Sequence, residues 1–331
     1  MDEKLHVVVV NYIEPEAMDI IRAVSDAIVV TDASALARAE RNGDASRGAE
    51  LDQVLASADV VYALKLPDRF VERAPRMRWL QTISTGVDRI LSPELVNSPV
   101  TVTNMSGIHE VTIAEFVLMH MLMFVKDAPR SFYQQIEGRF KWFPMDVLTG
   151  KTVGIIGLGR IGREVARVVR FFNMKVVATK RTATQGDIEE NVDLLLPLAK
   201  LHDLLQQSDF VVLALPLTPE SRNLIGEPEL RAMKPTAKLI NVSRGAIVDE
   251  PALIRALQEG WIGGAGLDVF VQEPLPADSP LRRMQNVIFS PHVSGDIAEY
   301  DVGAARLFAE NLRRFLAGEP LLNIVDKERG Y

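Results

Sequence analysis

Short apolar runs alternate with amphipathic stretches along most of the chain. Residues 5–10, 27–31, 60–63 and 79–83 are apolar runs of strand length, and residues 15–25 carry a helical pattern. Apolar runs without polar alternation predict strands covered on both faces, and their alternation with helices predicts a parallel sheet. Residues 41–49 are polar with two glycines, and a loop is expected there. Residues 111–125 are apolar and rich in Met and Leu. They predict a helix too apolar around its circumference for a surface helix, hence one buried between domains or between subunits.

A second alternating series begins at Lys151, with strands expected at 152–156, 175–179, 210–214, 238–241, 263–268 and 287–290. Six strands with intervening helices match a complete dinucleotide-binding fold. A helix over 297–316 follows the sixth strand. The fold does not need it, which leaves it available to the first domain.

The first strand of this second series runs into Gly157-Leu158-Gly159-Arg160-Ile161-Gly162, and a helical stretch over 163–172 follows. In that setting the first glycine permits a tight turn, the second a close approach of backbone to a pyrophosphate, and the third close helix–strand packing. The helix N-terminus adds N–H groups and the positive end of its dipole. A dinucleotide site is therefore expected here, the alternative being a plain turn of small residues.

Composition narrows the class. The 331 residues are 47% hydrophobic and 24% charged, which is ordinary for a globular protein with one or two domains. A net charge of −7 argues against nucleic acid as a partner. With no cysteine, disulfides, thiolate metal sites and a cysteine nucleophile are excluded, and no metal site is expected. The charged start Met1-Asp2-Glu3-Lys4 is unlike a signal peptide, and no apolar run has the length of a membrane span. A cytoplasmic protein without membrane partners is the expectation.

Three clusters follow predicted strands of the second series, where ligands of open α/β sheets sit. In Asn241-Val242-Ser243-Arg244-Gly245, Arg244 is a cation suited to bidentate binding of a carboxylate, or to a salt bridge near Asp249. In Leu267-Asp268-Val269-Phe270-Val271-Gln272-Glu273-Pro274, Asp268 ends a strand and Glu273 lies in the loop beyond it. In Ser290-Pro291-His292, the histidine is suited to proton transfer near neutral pH. Of the other histidines, His120 reads as a packed core residue, His6 and His202 suggest no partner, and His109 lies in a loop near the domain crossing.

Taken together, these residues resemble the D-2-hydroxyacid dehydrogenases. Leu215-Pro216-Leu217-Thr218-Pro219-Glu220, residues 104–115, and Arg78-Trp79-Leu80-Gln81 with Thr85-Gly86-Val87-Asp88 agree with that likeness, which covers nearly the whole chain. The resemblance implies an α/β architecture of two doubly wound parallel-sheet domains. A Rossmann NAD(P)-binding domain, 104–295, would be inserted in a flavodoxin-like substrate domain, 1–103 plus 296–331. It implies a homodimer that reduces a small 2-oxo acid, of the glyoxylate or hydroxypyruvate kind, to the D-2-hydroxy acid. Arg244 would hold the substrate's carboxylate and carbonyl, His292 would act as acid/base, and Glu273 would pair with the other ring nitrogen of His292. Backbone N–H groups of Thr85 and Gly86 would bind the carboxylate. Gly157, Gly159, Arg160, Ile161, Gly162, Pro216, Thr218, Val242, His292 and Gly295 would line the cofactor, and Asp268 would hold its carboxamide. Formate dehydrogenases of the same fold have glutamine where Glu273 stands. Oxidation of another small anion such as phosphite, and a corepressor-like cofactor sensor, are the alternatives.

Hydride addition to a 2-oxo acid creates an alkoxide, which needs a proton donor and a nearby cation. His292 and Arg244 are of those types. One departure from the resemblance concerns the cofactor. NAD-dependent members have an aspartate at the end of the second strand, whereas eighteen residues beyond Gly162 this chain has Lys180 and then Arg181. Two cations there predict preference for NADP(H) over NAD(H). Asn173 stands where glycine is usual, and asparagine tolerates the left-handed backbone of a helix end.

Overall fold

The computed structural model describes residues 4–44, 46–184, 186–297 and 299–331. The start at Met1-Asp2-Glu3, Ala45 of the polar loop and Ala298 of the expected last helix lie outside the described residues. Two compact units form, Met1–Ile108 with Ile297–Tyr331, and His109–Asp296.

The first unit contains β1 (Leu5–Val9), β2 (Ile28–Asp32), β3 (Val60–Ala63), β4 (Trp79–Thr82) and β5 (Thr101–Thr103). All pair in parallel, in the order β2-β1-β3-β4-β5, which is the flavodoxin-like doubly wound order. β5 is missing from the sequence reading because its three residues, Thr-Val-Thr, make no apolar run. The polar loop is shorter than expected, since the helices Ser34–Arg41 and Gly48–Ala56 close in from both sides. The helix Tyr300–Ala317 belongs to this unit, and its Ala304, Ala305, Phe308 and Leu312 share a core with Val7, Val9, Tyr62 and Trp79. Phe308 stacks on Tyr62 with ring centres 4.6 Å apart.

The second unit holds β6 (Thr152–Ile156), β7 (Lys175–Lys180), β8 (Leu194–Pro197), β9 (Phe210–Leu213), β10 (Lys238–Asn241), β11 (Gly264–Leu267) and β12 (Val287–Phe289). Their order is β12-β11-β10-β9-β6-β7-β8, again all parallel. This is the Rossmann order with one added strand, seven rather than the six expected. The unread strand is β8, Leu-Leu-Leu-Pro, whose proline argues against a strand unless it lies at an edge. β8 is an edge strand. Chain order reverses between β6 and β9, and the crevice at their carboxyl ends is where such sheets take ligands.

The long apolar helix, Glu110–Val125, buries Ile113, Ala114, Val117, Met121 and Val125 in the core of its own unit, with Val165 and Val169 of the helix Arg160–Arg170. That face therefore needs no second domain or subunit to cover it.

Candidate active site

The glycine turn leaves β6 and enters the helix Arg160–Arg170. The N–H groups of Gly157 and Leu158 bond to the carbonyl of Thr179 on β7, at 3.2 and 3.1 Å. Gly157 has φ +98°, and a Cβ there would lie 2.6 Å from the Ala214 carbonyl oxygen. A Cβ on Gly162 would lie 2.2 Å from the carbonyl oxygen of Gly157, so only glycine lets the helix come this close. Gly159 is different, with nothing within 4 Å of where its Cβ would be. The first-turn N–H groups of the helix that follows have no intrahelical acceptor. A glycine turn that opens a helix in this way suits a pyrophosphate.

Beside it, the loop after β10 is held by its own side chains. Ser243 Oγ receives the Leu215 N–H and donates to the Leu213 carbonyl, both at 3.0 Å, and Asn241 Nδ2 donates to the Arg244 carbonyl at 2.9 Å. Val242 is buried, and Arg244 is half-buried with Nη1 donating to the Ser243 carbonyl at 2.9 Å. Asp249 accepts from the Ala252 N–H and so caps the next helix. A Cβ on Gly245 would stand 2.0 Å from the backbone carbon of Phe270. The loop carrying Arg244 therefore rests directly on the loop that leads to Glu273. On the far side, Pro216 is exposed and Thr218 is half-buried, its N–H bonded to Ser221 Oγ at 2.8 Å.

Glu273 and His292 come from the loops after β11 and β12. His292 Nδ1 lies 3.0 Å from Glu273 Oε2, and the other oxygen of Glu273 accepts from the Phe270 N–H at 3.2 Å. The carboxylate orients the ring. Glu273 is the more sheltered partner, with side-chain exposure of 18% against 38% for His292. His292 adopts φ +58°, a left-handed conformation uncommon for a side-chain-bearing residue. Such backbone persists where its surroundings over-determine it.

Much of that determination comes from Asp268, which is 1% exposed. Its carboxylate accepts from Ser290 Oγ at 2.7 Å, the Val293 N–H at 2.8 Å and the Ser294 N–H at 3.0 Å. It therefore clamps the loop on both sides of His292. His109 bonds through Nδ1 to the Gly295 carbonyl at 3.0 Å and holds the end of the same loop. Sequence reasoning gave neither Ser290 nor His109 this part, because a side-chain-to-loop bond across the fold leaves no spacing to read.

His120 lies behind this region, packed against Gly266. It is 1% exposed, with Nδ1 against the Phe116 carbonyl at 3.0 Å, and among the described residues its buried Nε2 has no partner. Burial pushes its pKa below the usual histidine value, more than the Phe116 carbonyl and the Asp268 charge raise it. The unfolded chain then binds a proton that the folded chain refuses, so stability is lost as pH falls from the ordinary histidine value through the lower folded one. We expect the midpoint of urea unfolding to drop over that window and His120→Leu to flatten the drop. An identical pH dependence in the variant would show that other groups cause it.

The two cations at the end of β7 both have carboxylate neighbours, which the sequence did not show. Lys180 Nζ pairs with Glu189 Oε1 at 2.6 Å, and Arg181 faces the Glu220 carboxylate electrostatically. Thr85 and Gly86 follow β4 in the other unit, where Asn104 Nδ2 donates to the Thr85 carbonyl at 3.0 Å and Ser84 Oγ to that of Gly86 at 2.8 Å.

Comparison with known proteins gives the family. The profile of the D-isomer specific 2-hydroxyacid dehydrogenase NAD-binding domain matches residues 118–294. A glyoxylate reductase from Korarchaeum cryptofilum is 40% identical over 264 residues, 78% of each chain. Another from Aeropyrum pernix is 38% identical over 284 residues, 82% of this chain and 84% of that one. Among solved structures, a D-isomer specific 2-hydroxyacid dehydrogenase from Xanthobacter autotrophicus Py2, in complex with NADPH and MES, superposes with a TM-score of 0.85. It is 32% identical, over 99% of this chain and 100% of that one. A Sinorhizobium meliloti NADPH-dependent glyoxylate/hydroxypyruvate reductase, solved with NADP and sulfate, gives 0.84 at 26% identity, over 99% and 100%.

A Rossmann sheet with a pyrophosphate cradle, beside a cation and a carboxylate-paired histidine, defines an NAD(P)-dependent oxidoreductase. The chain belongs to the D-isomer specific 2-hydroxyacid dehydrogenase family, whose chemistry interconverts 2-oxo and 2-hydroxy acids.

Proposed function

We propose that this chain reduces glyoxylate and hydroxypyruvate to their 2-hydroxy acids, with NADPH favoured over NADH, and works as a homodimer. The observation that carries the reading is the His292–Glu273 pair at 3.0 Å, beyond the carboxyl ends of the same sheet's strands as Arg244 and the glycine turn. The dihydronicotinamide supplies a hydride when bound. The chain's own residues do the rest. Arg244 binds the carboxylate and carbonyl oxygen and takes up the negative charge that develops there. His292, protonated and held by Glu273, delivers a proton to that oxygen. Backbone N–H groups of Thr85 and Gly86, in the unit read as the substrate domain, hold the carboxylate. Asp268, with three of its roughly four acceptor positions occupied, keeps capacity for the carboxamide. Pro216, Thr218, Val242 and Gly295 border the cofactor, and Lys180 and Arg181 meet a 2′-phosphate. The names of the relatives support the substrate class, and the NADPH and NADP in the solved neighbours support the cofactor. A dimer is supported by the apolar side chains exposed on and after the helix Ala128–Ile136, including Ile136 at 81%, Phe140 at 107% and Trp142 at 83%.

Initial rates with a panel of 2-oxo acids and both cofactors test this reading. Glyoxylate and hydroxypyruvate should lead the panel, with NADPH favoured by about tenfold in kcat/KM, the size of one charge-assisted contact. Lys180→Asp with Arg181→Ala should reverse the cofactor order. Preference of the unmodified enzyme for NADH, or for bulky 2-oxo acids, would overturn the corresponding part.

A further inference from the structure

We infer that Glu189 sets the margin between NADPH and NADH, by competing with a 2′-phosphate for Lys180 and by offering a plain ribose the acceptor that the end of β7 lacks. The inference rests on the reading of Lys180 as a phosphate-binding residue.

Glu189 lies nine residues beyond Lys180, in the connection between β7 and β8. It joins two cations, one at the end of β7, whose Thr179 carbonyl accepts from the glycine turn, and one on the helix that the turn enters. Lys180 Nζ, at the end of β7, is 2.6 Å from Oε1. Arg163, from the helix that starts at the turn, donates through Nη2 to Oε1 at 2.9 Å and through Nε to Oε2 at 3.2 Å. Glu189 is well sheltered for a loop carboxylate, at 19% exposure, against 35% for Lys180. The Arg163 and Lys180 hydrogen bonds pull its pKa down to about 2, so it is charged at any pH at which the enzyme would work.

Other carboxylates reinforce the effect. Asp187, held by the Thr184 N–H and hydroxyl at 2.8 and 2.9 Å, also faces Lys180, and Glu220 faces Arg181. Arg163, Lys180 and Arg181 are thus met by Asp187, Glu189 and Glu220, and the local charges cancel. A balanced cluster has little net field with which to draw in a dianion. A 2′-phosphate gains Lys180 only by loosening it from Glu189. A 2′-hydroxyl leaves the ion pair intact and can donate to the carboxylate, as it does to the strand-end acid of NAD-binding sheets. The acid missing from the end of the strand returns in space from the loop.

The test compares 2′,5′-ADP with ADP by isothermal titration of the full chain at fixed ionic strength, because exposed charges are screened. Glu189→Gln keeps the size and removes the charge. Its affinity for 2′,5′-ADP should rise about fivefold or more, the effect of one unit charge at contact even in bulk water. Affinity for ADP should stay level or fall, and the NADPH:NADH ratio of kcat/KM should rise in parallel. Equal changes for both nucleotides, or none for 2′,5′-ADP, would overturn the inference. Lys180→Ala separates the two readings. If it weakens 2′,5′-ADP binding while Glu189→Gln does not strengthen it, the role of Glu189 alone falls. If Lys180→Ala leaves 2′,5′-ADP unaffected, the cofactor reading falls and the inference with it.

Discussion

Replacing His292 with alanine is expected to lower kcat for 2-oxo acid reduction by about 10²–10⁴, the range for losing a positioned proton donor. Cofactor affinity, followed by nucleotide fluorescence, should change little, because the glycine cradle lies on a different loop. The backbone complicates the choice of substituent. His292 holds φ +58°, where alanine carries a strain of about 1–2 kcal/mol that asparagine partly avoids. His292→Asn is therefore the cleaner variant, keeping a polar side chain suited to the left-handed backbone while removing the acid. The two variants should be slow to a similar degree, with His292→Ala somewhat less stable to urea. Turnover near the unmodified rate in His292→Asn would show that the imidazole is not the proton donor.

Legibility in the sequence depended on whether a feature is local. The strands 152–156 and 238–241 were read with the limits they have, because apolar runs ended by Gly or Asn need nothing from elsewhere in the chain. β5 and β8 escaped notice, since three or four residues with polar or proline ends look like loop until a neighbouring strand pairs with them. Asn173 takes φ +54°, the conformation that a glycine-for-asparagine exchange at a helix end suggests.

The same division runs through the site. The residue types of Arg244, Glu273 and His292, each just past a strand, pointed to a cation, a carboxylate and an acid, and Glu273 does lie 3.0 Å from His292. What holds them was not readable. Asp268 was read for its place at a strand end, yet most of its hydrogen bonds go to the loop of His292, 22 to 26 residues on. Gly245 looked like part of a motif, and only its contact with Phe270 gives it a reason. Lys180 and Arg181 were read as two cations at a strand end, without the counter-charges that arrive from elsewhere along the chain. Charge type is local information, whereas charge pairing is tertiary.

Arg244→Lys is expected to cost about 10–10² in kcat/KM for 2-oxo acids while leaving the circular dichroism spectrum unchanged. The charge is kept, so a simple Coulomb attraction for the anion survives. What is lost is the planar fork that binds two oxygens in parallel. One charge-assisted hydrogen bond is worth about 1.5–3 kcal/mol, which corresponds to the stated range. The local fold gives a further reason to expect a clean effect. The loop is held by Ser243 and by Asn241, whose side chain bonds to the backbone carbonyl of residue 244 and not to its guanidinium. Nη1 of that guanidinium donates to the Ser243 carbonyl, within the loop itself. The division of the loss between constants is informative. An arginine that only gathers substrate would raise KM and spare kcat, whereas one that also stabilises charge on the carbonyl oxygen would lower kcat as well. The proposed role requires both to move. A variant with the unmodified kcat/KM would show that Arg244 serves the loop and that the substrate's carboxylate is held elsewhere.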